Sequence, residues 1–334
     1  MDSKVHKNTF NCRQLSVNLS NKSAGIKQLL QQQLLIAINS SGMDISLADL
    51  SSNAQLRQQL IPLYRLSNQI GVIYRCASAL KLAAKLQLRA VELANQLMIS
   101  FPNNNYNSAS VKCLELSVEV ESSGWINFKL SDWALAIWLQ DLMERPSLEE
   151  YGSKGILVKG KEGSSIGANP CIPQYLDNWD PNTSFQLQYL HARCCSLLRL
   201  AHQQGLITLK KFDFKTPQLQ IIEPNPIPWL QENQVSGTEA LRLRLTDSTE
   251  QNLIGLILDC LDEIGEQNQF ALVKRGSTLS LAFEEFYSEC RIWGEVKTHN
   301  LGLAQARLGL LAVTQSLVRS LLQDQLGIDA PLEL

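Results

Sequence analysis

What this chain has little of narrows it first. It holds four histidines, at positions 6, 191, 202 and 299, and no two of them are spaced as H-x-x-H. Its eight cysteines include no C-x-x-C pair, so neither a zinc site nor a disulfide framework is indicated. Several of them fall on apolar faces of predicted helices, as buried free thiols do in reducing compartments. No run of about 18 apolar residues occurs, so no membrane-spanning segment is expected. The opening MDSKVHKNTFNCRQLSVN lacks the apolar centre of a secretory signal, and a cytoplasmic protein is the expectation. The stretch Gly160 to Ser165 invites a phosphate-loop reading but lacks the G-x-x-x-x-G-K-[S/T] spacing, and a linker explains it better.

What is present describes an ordinary globular chain. At 334 residues, 45% apolar and 19% charged, it can bury two separate cores. Its net charge of −2 is unevenly spread: residues 1–145 carry +4, residues 146–180 carry −2 and residues 181–334 carry −4. Phosphate backbones are drawn to positive charge, which makes the first half the better nucleic-acid face.

Residues 1–24 are polar with little periodicity and read as a flexible arm. From 25 to 145 the pattern is that of an α+β domain. An amphipathic helix runs from Gly25 to Ile38, and Leu60 to Ile73 reads as a strand or an irregular connection. Ala77 to Phe101 reads as two helices hinged near Gln87. Lys81, Lys85 and Arg89 recur there at four-residue steps, either as a solvated face or as a phosphate-contacting row. Lys112–Val120 and Trp125–Leu130 alternate as two strands of a small antiparallel sheet, and Ser131 or Asp132 caps a helix over Trp133–Met143. Residues 146–180, rich in Gly, Ser, Lys and Pro, read as a linker where proteolysis should cut first.

The rest of the chain, 181–334, is organised around SFQLQYLHARCCSLLRLAHQQG, Ser184 to Gly205. Leu187, Leu190, Cys194, Leu197 and Leu198 recur at helical steps, with Leu200 and Ala201 extending the stripe, and Gly205 supplies a stop. On periodicity alone Tyr189, His191 and Arg193 lie on the solvent side of this helix.

The run Gln188-Tyr189-x-His191-Ala192-Arg193-Cys194-Cys195-Ser196-Leu197-Leu198-Arg199 resembles the opening helix of the anticodon-binding domain of arginyl-tRNA synthetases. Two further blocks are similar in the same order: Leu281-Ala282-Phe283, Phe286-Tyr287, Cys290-Arg291-Ile292, then Arg307-Leu308, Leu310 and Val313 before a terminal Leu326-Gly327-Ile328 and Pro331. The first half resembles the N-terminal additional domain of the same family through Ile26-Lys27-Gln28-Leu29-Leu30, Ala79 to Leu86 and Ser123-Gly124-Trp125-Ile126-Asn127-Phe128-Lys129-Leu130. The resemblance implies an α+β domain followed by an all-α helical bundle of the DALR anticodon-binding type. In the synthetases a catalytic domain of well over about 200 residues lies between these modules, whereas here some 36 residues join them. Departures are Leu334 for the family's terminal Met, Ser123 for its Pro before the strand, and Lys274-Arg275-Gly276-Ser277 in the helix before Phe286. A glycine inside a helix costs about 1 kcal/mol relative to Ala, so that helix is expected to break or start late.

The synthetase reaction needs an H-x-G-H-type motif to hold ATP phosphates, and none is present. No catalytic residue, cofactor or metal ligand is therefore assigned, and the chain is not expected to be an enzyme. The resemblance implies a noncatalytic protein that binds tRNA at the elbow and possibly the anticodon. In the family the aromatic residue and Asn of the strand engage an unstacked D-loop base, a role carried here onto Trp125 and Asn127, with Phe128 beside them and Lys81, Lys85 and Arg89 as phosphate contacts. Trp125 covering the sheet and Asn127 closing a turn is the structural alternative. Tyr189, Arg193, Tyr287 and Arg291 are candidate RNA contacts at the anticodon end, or else a polar surface or inter-helix network with a structural role. The competing expectation is an adaptor that presents the same modules to a protein partner, favoured by the acidic second half; neither expectation involves a membrane.

Overall fold

Period-two alternation builds the first half. Leu114, Leu116 and Val118 alternate with polar residues, as do Ile126, Phe128 and Leu130, so each strand buries one face and leaves the other to water. The computed structural model describes residues 13–19, 25–41, 58–67, 71–102, 113–145, 181–210, 219–235, 238–266 and 269–334. Five strands pair in one antiparallel sheet: β1 (Arg13–Asn18), β2 (Leu63–Arg65), β3 (Ile73–Cys76), β4 (Cys113–Val120) and β5 (Ile126–Leu130), in the order β1-β4-β5-β3-β2. Among the described residues four helices accompany it: α1 (Ile26–Ser40), α2 (Ser78–Leu86), α3 (Ala90–Ser100) and α4 (Asp132–Glu144). Their buried Leu30, Leu34, Leu82, Leu93 and Leu97 share a core with Leu15, Tyr74, Leu116 and Phe128, and the rings of Phe101 and Phe128 lie 5.7 Å apart.

Two expectations are corrected in this half. The supposed arm over 1–24 contains β1, which pairs with β4 from Arg13↔Val118 to Asn18↔Cys113; Leu15, Val17 and Leu19 are buried, a short alternation hidden among polar neighbours. Residues 1–12 and 20–24 of that segment lie outside the described residues. The row Lys81, Lys85, Arg89 does not exist as one helical face, because α2 ends at Gln87 in the left-handed conformation, φ 56°. Arg89 becomes the N-cap of α3 and pairs with Glu92 at 3.0 Å. The hinge itself lies where the sequence places it, and Ser131 caps α4 by accepting from the Ala134 amide at 3.0 Å.

Contacts divide the chain into two compact units, the break falling within α4 between Ile137 and Trp138, with Gly25 counted in the second unit. The expected linker, 146–180, lies outside the described residues. The second unit is mainly helical: α5 (Pro181–Gln203), α6 (Ser248–Glu266), α7 (Gln269–Glu289), α8 (Glu295–His299) and α9 (Leu301–Ser320), the last running into a wider turn over Leu321–Gln325. Between α5 and α6 lie two short two-stranded ladders, β6 (Thr208–Leu209) with β7 (Ile221–Glu223) and β8 (Leu230–Val235) with β9 (Thr238–Leu243). The helical bundle is as the sequence implies; the ladders are an addition to it.

Leu301–Gln325 is by length and composition apolar enough to cross a membrane, yet 78% of that apolar window is buried inside the fold. It is the core helix of this unit, and its polar interruptions hide it from a search for unbroken apolar runs. The helix expected to break at Gly276 is continuous from Gln269 to Glu289. A Cβ at Gly276 would stand 3.2 Å from Leu187 Cδ1, so the glycine permits close approach of α5 to α7 rather than a break. On α5, Leu187, Leu190, Cys194, Leu197, Leu198 and Ala201 are buried, whereas Leu200 is half-exposed and leaves the predicted stripe.

Candidate nucleic-acid interface

The hairpin joining β4 to β5 sets the geometry of the first unit's open face. Glu121 N donates to Trp125 O at 2.9 Å, and Gly124 N donates to Glu121 O at 2.8 Å. Gly124 has φ +94°, and a Cβ there would fall 2.6 Å from Ala90 Cβ; only glycine lets the turn seat itself against the start of α3. Trp125 and Asn127 then point to the side away from Ile126 and Phe128, as alternation requires.

Neither side chain stands alone. The Arg75 guanidinium lies over the Trp125 ring, 4.7 Å from its centroid, and is ion-paired with Glu121. Asn127 Nδ2 donates to Glu121 Oε1 at 2.9 Å, and Ser123 Oγ donates to Glu121 Oε2 at 3.3 Å. The hydrogen bond from Asn127, followed by hydrogen bonding and charge attraction from Arg75, holds the Glu121 carboxyl below its ordinary range against the opposing effect of burial. Because a carboxylate only accepts, it fixes the Asn127 amide with nitrogen toward Glu121. Among the described residues Oδ1 is enclosed and without a partner. Arg75 and Glu121 are thus functional candidates that sequence reasoning passes over: Arg75 faces Asn127 only through strand register, which spacing does not encode.

Phe128 does not belong to this surface. It is 0% exposed and opposes Tyr74 on the covered face, so its expected role as an RNA contact is corrected to core. Lys81 and Lys85 are exposed, and Lys81 Nζ donates to Gln59 O at 2.9 Å.

In the second unit the structure brings together two of the four residues expected to form a network. Arg193 donates to Tyr287 Oη at 2.9 Å, and its guanidinium carbon lies 4.9 Å from the Tyr287 ring centroid. Tyr287 stacks on Phe283 with centroids 6.3 Å apart. Tyr189 is exposed one turn before Arg193, with Phe185 exposed a turn earlier still, an aromatic extension that the motif does not signal. The Arg291 side chain is exposed, and its contribution to the interior is its carbonyl, which accepts from Arg307.

His191 overturns its expected place on the solvent side: it is 0% exposed. The Pro331 carbonyl, 2.8 Å from Nδ1, can only accept, so the proton sits on Nδ1 and Nε2 accepts from Gln315 Nε2 at 2.8 Å. Burial depresses the His191 pKa, with Arg319 adding to the effect and the Pro331 contact opposing it. The unfolded imidazole takes up a proton near pH 6.5 and the folded one only at lower pH, so stability rises with pH across that window. The second unit should therefore weaken as pH falls below about 6.5. Thermal unfolding of His191→Gln, measured from pH 7.5 to 5, is expected to show a shallower decline than the native chain.

His191 belongs to a grip on the C-terminal segment, where Gln188 Nε2 donates to Asp329 O at 2.9 Å and Arg199 to Leu332 O at 3.1 Å. Beyond it lies a cavity of about 880 Å³ whose apolar walls include Leu209, Leu219, Ile222 and Leu332. Among the described residues no three His, Cys, Asp or Glu side chains cluster as a metal ion would need.

No family model matches the chain, and no solved structure does. Several curated proteins match part of it. The arginine–tRNA ligase of Synechococcus sp. is 27% identical over 154 residues, 45% of this chain and 22% of the ligase. That of Gloeobacter violaceus is 29% identical over 150 residues, 44% and 22% of the respective chains. That of Pelodictyon phaeoclathratiforme is 31% identical over 155 residues, 45% and 23%. Over 45% of its length, then, this chain is similar to arginine–tRNA ligases, and the similarity spans less than a quarter of theirs.

Proposed function

We propose that this chain is a noncatalytic tRNA-binding protein, derived from an arginyl-tRNA synthetase, whose β4–β5 hairpin contacts the tRNA elbow. The observation that carries the reading is the cluster Arg75–Trp125–Glu121–Asn127 on the open sheet face, an aromatic ring and an amide held in place before any ligand arrives. An aromatic face stacks a splayed base, and the second Nδ2 proton of an amide oriented by Glu121 can donate to its edge. The partial match to ligases whose name specifies tRNA supports the class of partner. Arg193 and Tyr287, with Tyr189 exposed beside them, are the candidate contacts at the anticodon end. The absence of an H-x-G-H-type motif from the sequence supports a role without aminoacylation, and the protein is expected to act in the cytoplasm.

Trp125→Ala should weaken tRNA binding about tenfold or more at fixed salt, since base–aromatic stacking contributes about 1–3 kcal/mol. Asn127→Ala should relax any preference for the base at that position. Fluorescence anisotropy with labelled tRNA is the measurement. Arginine-dependent ATP–pyrophosphate exchange should stay at background; exchange above it in a synthetase-free preparation would remove the noncatalytic reading.

A second reading draws on one observation, the net −4 of residues 181–334, which suits a basic protein partner better than RNA. If the native chain shows no saturable binding to any tRNA at about 100 mM salt, this adaptor reading replaces the first.

A further inference from the structure

Strand register aligns more than the Trp125 cluster on the open face of the sheet. Tyr64 of β2 lies directly opposite Arg75 of β3, and Arg75 directly opposite Asn127 of β5. Residues paired in this way point to the same face, so Tyr64, Arg75 and Asn127 form one row across three strands. Tyr64 is 55% exposed, while its neighbour Leu63 is buried. With strands about 4.8 Å apart and a rise of about 3.4 Å per residue, Tyr64 and Trp125 stand about 12 Å from each other. The Arg75 guanidinium, already against the Trp125 ring, occupies the ground between them, and the exposed Lys129 follows Asn127 on the same face of β5.

The other side of this face has the opposite character. Glu115 and Glu119 alternate with buried residues along β4 and point outward, where they repel phosphate. A nucleic-acid strand on this face is therefore confined to the β5–β3–β2 side, the side that carries both rings, the exposed Lys129, and an Arg75 whose charge Glu121 balances.

We propose that this half of the sheet is a two-ring platform for single-stranded RNA, with Trp125 stacking one splayed base, Tyr64 stacking a second, and the exposed Lys129 at the far end of the face neutralising a phosphate, while Arg75, paired with Glu121, holds the Trp125 ring. The proposal rests on the RNA-binding reading above and adds to it a second base position on a different strand. Stacking suits these positions because every base has a π-face, so the platform needs an unpaired segment and not a particular sequence. The acidic β4 row gives the bound segment its path.

The test uses the full chain and a labelled ten-nucleotide oligouridine, titrated by fluorescence anisotropy at fixed salt and again across a salt series. Tyr64→Ala and Tyr64→Leu should each weaken binding about tenfold, while Tyr64→Phe should stay close to the native affinity. The salt dependence should be unchanged in all three, because a lost stacking contact releases no counterions, whereas Lys129→Gln should reduce the salt slope by about one. Circular dichroism of the variants confirms that an exposed side chain has been changed without loss of fold. If Tyr64→Ala binds like the native chain while Trp125→Ala binds weakly, the platform is overturned and the elbow reading stands. Equal losses for Tyr64→Phe and Tyr64→Ala would assign the effect to the hydroxyl and overturn stacking. If the native chain binds neither oligouridine nor tRNA, the RNA reading itself falls and takes the platform with it.

Discussion

Replacing Glu250 by alanine is expected to destabilise the second unit by about 3–5 kcal/mol, the usual consequence of removing one partner from a buried ion pair. The side chains of Glu250 and Arg307 are only 1% and 11% exposed, and Arg307 Nε donates to Glu250 Oε1 at 2.6 Å. The other carboxylate oxygen accepts from the Asp247 amide at 2.9 Å, while Asp247 Oδ1 accepts from the Thr249 amide at 2.8 Å. This reciprocal arrangement caps the start of α6. One carboxylate thus starts a helix and neutralises a guanidinium reaching in from α9. In alanine's place both would go unanswered, with Arg307 left, among the described residues, to its bond with the Arg291 carbonyl. Urea unfolding followed on the second unit's transition measures the loss. Replacing Glu250 and Arg307 together by methionine should recover much of it, because no unpaired charge then remains buried. A Glu250→Ala loss below about 1 kcal/mol would mean that water reaches Arg307.

Gly124→Ala should damage the first unit nearly as much and by different means. A non-glycine residue in left-handed backbone costs about 1–2 kcal/mol. The added methyl would also press on Ala90, 2.6 Å from its Cβ and 2.9 Å from its carbonyl carbon, and overpacking of this kind costs about 1–3 kcal/mol more. Relief requires the turn to move off α3, and the next residue in the chain is Trp125. The variant is therefore expected to lose both melting temperature and RNA affinity. Adding Ala90→Gly should restore only part of each, because the backbone contact and the positive φ persist. Full RNA affinity in a Gly124→Ala chain with a lowered melting temperature would separate the turn from the binding surface.

The division between what sequence revealed and what it concealed follows the range of the interactions. The α5 stripe, β4, β5 and the α2–α3 hinge were legible because each depends on residues a few positions apart. So was the side on which Trp125 and Asn127 fall. Arg75 stayed hidden because it meets Asn127 through the pairing of β3 with β5, across about fifty positions of chain. His191 looked like a surface residue because periodicity assigns polar residues outward; its partners, Gln315 and Pro331, come from the far end of the chain. Gly276 misled for the same reason: its intrinsic cost in a helix is local, while its use, close packing against Leu187, is tertiary. Of the candidate site, then, the hairpin could be read directly, and the groups that hold it in position could not.

The grip on the C-terminal segment has an evolutionary corollary. Gln188, His191 and Arg199 meet Asp329, Pro331 and Leu332 at their main-chain carbonyl oxygens, and every amino acid carries that oxygen. Selection acting through these three contacts constrains the route of the segment and leaves most of its side chains free to drift. Residue identity at this end of the chain is consequently a weak guide to whether the path of the segment is kept.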